Sequence, residues 1–227
     1  MRNWWFATIL VGLQLVISAS ARADSAEQLF ARYEPALLQV RVLEQASGAK
    51  AAIGSGFVID QPKLLVTNYH VVSDAVLFPA KYRLEYLDNQ QQKGELKVLA
   101  VDVVNDLALL QTDYQPEQRF HLEIKSPAQG ATIYSLGNPH DLGMIVVPGT
   151  YNGLQKFGYY PRIHFTGAVN SGMSGGPVVD SAGNIVGVNV ASAGNQLGFL
   201  VPVKALSELL ARAAEQKQLS NDQQSIA

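Results

Sequence analysis

The sequence predicts an all-β protein, a sandwich or barrel, with a short helix at each end. Three observations carry that expectation. Short apolar runs follow one another through most of the chain: "ALLQVRVLE", "AIGSGFVID", "KLLVTN", "YRLEYLD", "ELKVLAVD" and "LALLQTD" in the first half, then "ATIYSLGN", "MIVVPGTYNG", "PRIHFTGAV", "GPVVD", "NIVGVNVAS" and "LGFLVPV". Gly, Pro, Asn and Asp punctuate them, and no helical stretch intervenes, which disfavours a parallel βαβ sheet. In "LQVRVLE", Leu38, Val40 and Val42 alternate with Gln39 and Arg41, the period of a strand with one buried face.

The elements follow in order. "DSAEQLFARY", residues 24–33, reads as a helix capped by Asp24 or Ser25 and ended by Pro35. "QTDYQPEQRF", residues 111–120, is polar, carries Pro116 and suits a joint between two lobes. "KALSELLARAAEQ" is an amphipathic helix over 204–216, with Leu206, Leu209, Leu210 and Ala213 on one face. The residues after it are expected to fray. No exact internal repeat is visible, although two β lobes of similar size fit the spacing.

Residues 1–23 stand apart. Arg2 precedes an apolar run from Trp4 to Ile17, and Ala21-Arg22-Ala23 supplies an A-x-A pattern. That is the layout of a cleaved secretory leader, with an uncleaved anchor as the alternative. The run is short for a membrane span, which needs about 20 residues. Export to a bacterial envelope, periplasmic or secreted, is therefore expected, with no membrane span after cleavage. Losing Arg2 and Arg22 takes the net charge from −2 to about −4, which argues against nucleic acid as a partner. About 204 residues remain, enough to bury a core. The chain has no cysteine, which excludes a thiol nucleophile and a Cys-based metal site and fits an exported protein that needs no disulfides.

Chemistry concentrates in three places. His70 sits in "LLVTNYHVV", directly after an apolar strand, Asp106 sits in "VVNDLALL", directly before one, and Ser174 sits inside the glycine turn "NSGMSGGPVVD". The order His, Asp, Ser matters because acid–base–nucleophile triads recur in different chain orders on different folds. A serine hydroxyl needs a base within hydrogen-bonding reach, histidine titrates near neutrality, and a carboxylate orients the imidazole. Two backbone N–H groups must then meet the developing oxyanion. Gly172 permits the conformation that aims them, and Gly175 and Gly176 are expected to leave room for a substrate. Gly172-Met173-Ser174-Gly175-Gly176 also matches the G-x-S-x-G elbow of α/β-hydrolases. That fold needs a histidine after the serine, and none follows Ser174. A subtilisin-like order could draw on Asp60, but its α/β pattern is missing.

Other polar residues read as structural. Asp102, a rival to Asp106, is expected to be a solvated charge at a strand end. His140 is expected in a loop, and His121 and His164 at the surface. None has partners at metal-ligand spacing, so no metal and no cofactor are expected. Gly54 and Gly56 lack the Lys-Ser pair and helix of a phosphate loop and suit a strand bend.

"GSGFVID…LLVTNYHVV", "NDLALLQ", "SLGNPHDLG" and "NSGMSGGPVVDSAGNIVGVNVAS" together resemble the protease domain of the HtrA (Deg) family, a branch of the chymotrypsin-like serine peptidases. The resemblance spans about residues 36–203. It implies two six-stranded β-barrels of the chymotrypsin/trypsin type, about 36–115 and 120–203, within a single protease domain over 24–227. It implies His70 as general base, Asp106 as its orienting acid, Ser174 as nucleophile, and the N–H groups of Gly172 and Ser174 as the oxyanion hole. Polypeptide substrates follow, and a homo-oligomer is open.

The chain departs from the family in two ways. Too few residues follow Ser174 for the PDZ domain that HtrA proteins usually carry. Met173 stands where digestive relatives have the aspartate of their activating ion pair and HtrA members tend to have asparagine. In the fold the chain resembles, the base of the main pocket falls at Ala168 and its wall at Asn189, Val190 and Ala191, which implies a small apolar specificity pocket. A protease fold used as a binding or scaffold module, and an esterase, are the alternatives.

Overall fold

The computed structural model describes residues 25–157, 160–192, 194 and 197–226; the expected leader lies outside them. Twelve strands form two closed antiparallel barrels. Barrel one is built from β1 (Leu37–Glu44), β2 (Lys50–Val58), β3 (Leu64–Thr67), β4 (Tyr82–Leu87), β5 (Lys93–Asp102) and β6 (Leu107–Gln111). Barrel two is built from β7 (Thr132–Gly137), β8 (Ile145–Phe157), β9 (Tyr160–Thr166), β10 (Pro177–Val179), β11 (Ile185–Ser192) and β12 (Leu197–Pro202).

The strand order is β1-β2-β3-β6-β5-β4 in the first barrel, and starting from β7 it is β7-β8-β9-β12-β11-β10 in the second. The two lobes thus share one topology, although their sequences show no repeat. Closure matters physically, because a closed sheet has no unpaired edge. Residues 112–131 cross between the barrels. They are pinned where Phe120 N–H donates to Val58 O at 3.0 Å and Asp60 N–H donates to Phe120 O at 2.8 Å.

Several strands are buried on both faces, inside their barrel and under the elements packed outside it. Leu38, Val40, Phe57, Leu65, Leu109 and Leu110 are buried in the first. Ile133, Phe165, Val178, Val186 and Leu200 form a separate cluster in the second. Helix α1 (Ala26–Tyr33) starts on a capping box: Ser25 Oγ accepts from Gln28 N–H at 3.2 Å, and Gln28 Oε1 accepts from Ser25 N–H at 3.0 Å. It buries Leu29, and Tyr33 stacks on Phe120 at 4.5 Å between ring centroids.

Two elements differ from expectation. A third helix, α2 (Tyr69–Leu77), follows β3 directly, where the β-branched "YHVV" reads as strand continuation. Asn68 takes an extended N-cap conformation, and Val71, Val72 and Ala75 then fall on the face turned to the barrel. The C-terminal helix α3 (Val203–Ile226) also runs beyond the expected end at 216. It leaves barrel two and buries Leu206, Leu209 and Leu210 in the cluster that joins barrel one to Val188 and Val201 of barrel two. Among the described residues, no helix is long and apolar enough to cross a membrane.

Candidate active site

His70 and Asp106 meet at one rim of barrel one. His70 lies in the first turn of α2, and Asp106 lies in the turn between β5 and β6. The two side chains join at 2.7 Å between Nδ1 and Oδ2, and Asp106 Oδ1 also accepts from the His70 backbone N–H at 2.8 Å. A proton on Nδ1 facing the carboxylate leaves Nε2 as the free acceptor. The ring is half exposed, whereas the carboxylate is mostly covered.

Asp106 reaches this position with a left-handed backbone, φ +62°, which costs a non-glycine residue about 1–2 kcal/mol. Its neighbours hold it there. Asn68 Nδ2 donates to Asp106 O at 2.8 Å. Asp102 closes the same turn, accepting from Asn105 N–H and Nδ2, each at 2.9 Å. Arg212 of α3 reaches across to Asp102 at 2.6 Å.

Asp102 is therefore not the solvated charge expected from sequence. It is buried and tied on both oxygens. Burial pushes its pKa up, but the Asn105 donors and Arg212 outweigh this and hold it below the usual value. Arg162 of β9 lies near both acids. Burial pulls its pKa down, while Asp106 and Asp102 favour its charged form.

Ser174 lies in the turn before β10. Gly172 has φ +92° and Gly175 has φ +85°, conformations that L side chains rarely adopt. The turn is knit by Met173 N–H donating to Asn170 O, Gly176 N–H to Met173 O and Gly175 N–H to Asn189 O, each at 3.0 Å. The backbone N–H groups of Gly172 and Ser174 have no acceptor among the described residues.

The expectation that Gly175 and Gly176 leave room for a substrate is corrected. A Cβ on Gly175 would lie 2.3 Å from Ser55 O and 2.9 Å from Asn68 N, and one on Gly176 would lie 2.1 Å from Leu136 O. That space is filled by the protein's own backbone: Gly175 sits against barrel one, two residues from His70, and Gly176 against β7 of barrel two.

Ser174 Oγ donates to Val190 O at 3.4 Å, and no hydrogen bond joins it to His70. Met173 is fully buried in the core of barrel two. Burying such a side chain contributes about 1.5–3 kcal/mol, so the turn is anchored by packing where an ion pair would serve a digestive enzyme.

The residues expected to form the pocket divide. Ala168 is exposed and Val190 partly exposed, each in reach of a ligand. Ala191 pairs with Phe199 across β11 and β12. Asn189 does not line a wall. It is fully buried beneath the nucleophile turn, accepting from Ser135 Oγ at 2.9 Å and donating to Leu136 O at 3.2 Å. Sequence reasoning also missed Ser55, Asn138 and Arg212. A serine in a glycine-rich strand, an asparagine in a loop and an arginine on a wet helix face carry no local signal.

A loop at 138–143 leans on the turn from the other side. His140 N–H donates to Ser171 O at 2.8 Å. His140 and Asp141 are both left-handed, at φ +53° and +61°. Asp141 ties the loop to barrel one through Lys50 Nζ at 2.6 Å and Gln39 Nε2 at 2.5 Å. Among the described residues, no three His, Asp or Glu side chains gather as a metal cluster.

Several known proteins are similar to this chain. Residues 54–188 match the family described as the trypsin-like peptidase domain. The chain is 30% identical over 185 residues to "Protease Do-like 1, chloroplastic" of Arabidopsis thaliana, covering 74% of this chain and 40% of that protein. It is 29% identical over 189 residues to "Periplasmic serine endoprotease DegP" of Salmonella typhimurium, covering 77% and 38%. It thus spans about two fifths of these relatives' length.

The solved serine endoprotease from Yersinia pestis superposes with a TM-score of 0.71 at 25% identity, covering 84% of this chain and 66% of that one. An HtrA-type protease solved with a tripeptide shares the fold, with a TM-score of 0.72 at 23% identity over 82% of this chain and 62% of that one. With its two barrels and the matched span running from β2 into β11, the chain belongs to the trypsin-like peptidase family.

Proposed function

We propose that the protein is a serine endopeptidase that cleaves extended or unfolded polypeptides. One observation carries the reading: two backbone N–H groups without acceptors, at Gly172 and Ser174, lie in a glycine turn pressed against the segment that bears the His70–Asp106 pair. An extended peptide adds as a strand beside barrel two. Ser174 Oγ turns from Val190 O toward His70 Nε2, gives up its proton and attacks the carbonyl carbon. The oxyanion is received by the N–H groups of Gly172 and Ser174, each such donor lowering the barrier by about 3 kcal/mol. His70 passes the proton to the leaving amine, and water then hydrolyses the acyl-enzyme by the same route in reverse.

Ala168, Val190 and Ala191 favour a small apolar residue before the cleaved bond. The relatives named periplasmic, together with the leader-like residues 1–23, support an exported enzyme.

One observation favours the second reading, a binding module on a protease fold. Ser174 Oγ is engaged by Val190 O and not by His70. A fluorophosphonate probe separates the two readings. Labelling of the wild type at neutral pH, absent in Ser174→Ala, is expected, with casein cleaved mainly after Val, Ala or Ile. A folded wild type that takes no label sinks the peptidase. Cuts mostly after Lys or Arg sink the pocket assignment alone.

A further inference from the structure

We propose that Ser55, on β2 of barrel one, is a positioning residue for the oxyanion hole of barrel two, holding the Gly172–Met173 peptide through its hydroxyl. The inference rests on the peptidase reading above and names the residue that keeps the donors of that site in place.

Ser55 is fully buried, and each of its polar groups is engaged across the barrel seam or within barrel one. Its Oγ donates to Gly172 O at 2.7 Å and accepts from Asn138 N–H at 2.9 Å. Its backbone N–H donates to Ser174 O at 2.8 Å, and its carbonyl accepts from Thr67 Oγ1 at 2.7 Å. A hydroxyl has one proton. With Asn138 donating, that proton is committed to Gly172 O, so the bond has a fixed direction.

Holding this carbonyl orients the donors because two peptide planes meet at the Gly172 Cα. The plane before it is held by Ser171 O, which accepts from His140 N–H at 2.8 Å. In a trans peptide the N–H points opposite to the C=O, so the Gly172 N–H is turned away from the loop. The plane after it is held by Ser55. Fixing both planes fixes the rotation about Gly172, and Gly172 is the one residue there that a glycine's freedom could otherwise let swing. The Ser174 N–H is set by the next plane, whose carbonyl, Met173 O, accepts from Gly176 N–H. Asn138 O lies 2.3 Å from where a Gly172 Cβ would be, so the loop and Ser55 grip the glycine from two sides.

Removing the hydroxyl leaves Gly172 O and Asn138 N–H unpaired in a buried seam, and each regains a partner only if the turn moves. The His70–Asp106 pair is untouched, since Ser55 has no bond to either, and the backbone bond from Ser55 N–H to Ser174 O does not depend on the hydroxyl.

The test compares wild type, Ser55→Ala and Ser55→Cys on a peptide amide, with thermal unfolding recorded for each. The expected result for Ser55→Ala is a fall in kcat of about 10- to 100-fold with KM within about twofold, because an oxyanion donor acts only in the transition state. The acid limb of the kcat/KM profile, which reports His70, should stay where it is in the wild type. Binding of a peptide aldehyde should weaken in step with kcat, while binding of the cleaved product should not.

Ser55→Cys keeps the shape with a weaker donor and should fall between the other two. It carries the test if Ser55→Ala does not fold. A folded variant with wild-type kcat overturns the inference, as does a loss seen only in KM. A wild type that turns over nothing sinks the peptidase reading and this inference with it. A working wild type beside an equally fast Ser55→Ala or Ser55→Cys overturns this inference alone.

Discussion

The two halves of the site are built differently. The base half is complete within barrel one: His70 and Asp106 share two hydrogen bonds, and Asn68 of the same barrel holds the acid's backbone. The nucleophile half depends on its neighbour. Ser174 faces Val190 O, and its turn is braced from barrel one by Ser55 and by the loop that Asp141 ties to Lys50. A base that must be oriented before it can act is fixed in advance. On the proposed mechanism Ser174, which is part-buried, still has to turn from Val190 O toward His70. Geometry held by several bonds is thus assigned to the group that is costly to misplace.

Breaking the base half should have the largest effect. Asp106→Asn keeps the shape but offers an amide where the imidazole needs an acceptor. We expect kcat to fall by roughly 10⁴-fold with KM little changed, read by steady-state turnover of a peptide amide. A loss below tenfold would show that the pair is not the working base.

Breaking the support behind it should act on stability first. Arg212→Ala leaves the buried Asp102 without its cation but with both Asn105 donors. Arg212 is itself half exposed, so the cost is set at about 1–2 kcal/mol, a melting temperature lower by roughly 2–8 °C. The pH dependence has a definite sign. Asp102 has a lowered pKa in the folded protein, so its contribution is present above the ordinary carboxylate range and is lost as pH falls through the folded value. The gap between wild type and variant should therefore be widest near neutrality and close in acid, as scanning calorimetry across pH would show.

The smallest effect belongs to the loop clasp. Hydrogen bonds from Lys50 and Gln39 hold the Asp141 carboxyl below its usual range. The pair is partly exposed and screened, so Asp141→Asn should cost no more than about 0.5 kcal/mol and a few-fold in kcat. The difference between variant and wild type should shrink as salt is raised. A salt-independent difference would assign the effect to the hydrogen bond from Gln39 alone.

The candidate chemistry stood out in the sequence more than its support did; of the three residues, the structure joins His70 to Asp106 and leaves Ser174 Oγ on Val190 O. His70, Asp106 and Ser174 announce themselves because each needs a particular residue type at a strand end in a definite chain order. Asn189 was misread as a pocket wall. Alternation along β11 says that one face is buried, but which face lies under the nucleophile turn depends on register against β10 and β12. Gly175 and Gly176 were tied to substrate space because a sequence shows that room is needed without showing what fills it. Helix α2 was missed because Val71 and Val72 favour strands locally, and packing against barrel one overrode that preference. Asp102 and Arg212 lie on β5 and α3, and no local pattern pairs a strand end with a distant helix.

That distant pairing sets an order of events in synthesis. The turn that carries Asp106 is made early, yet its partner Arg212 belongs to a helix translated only after barrel two is complete. While the ribosome is still working, barrel one lacks its covering helix and its acid turn lacks its last cation. A domain assembled from contacts this far apart folds late and as a whole. The proposed active site is therefore complete only after the last helix has been made.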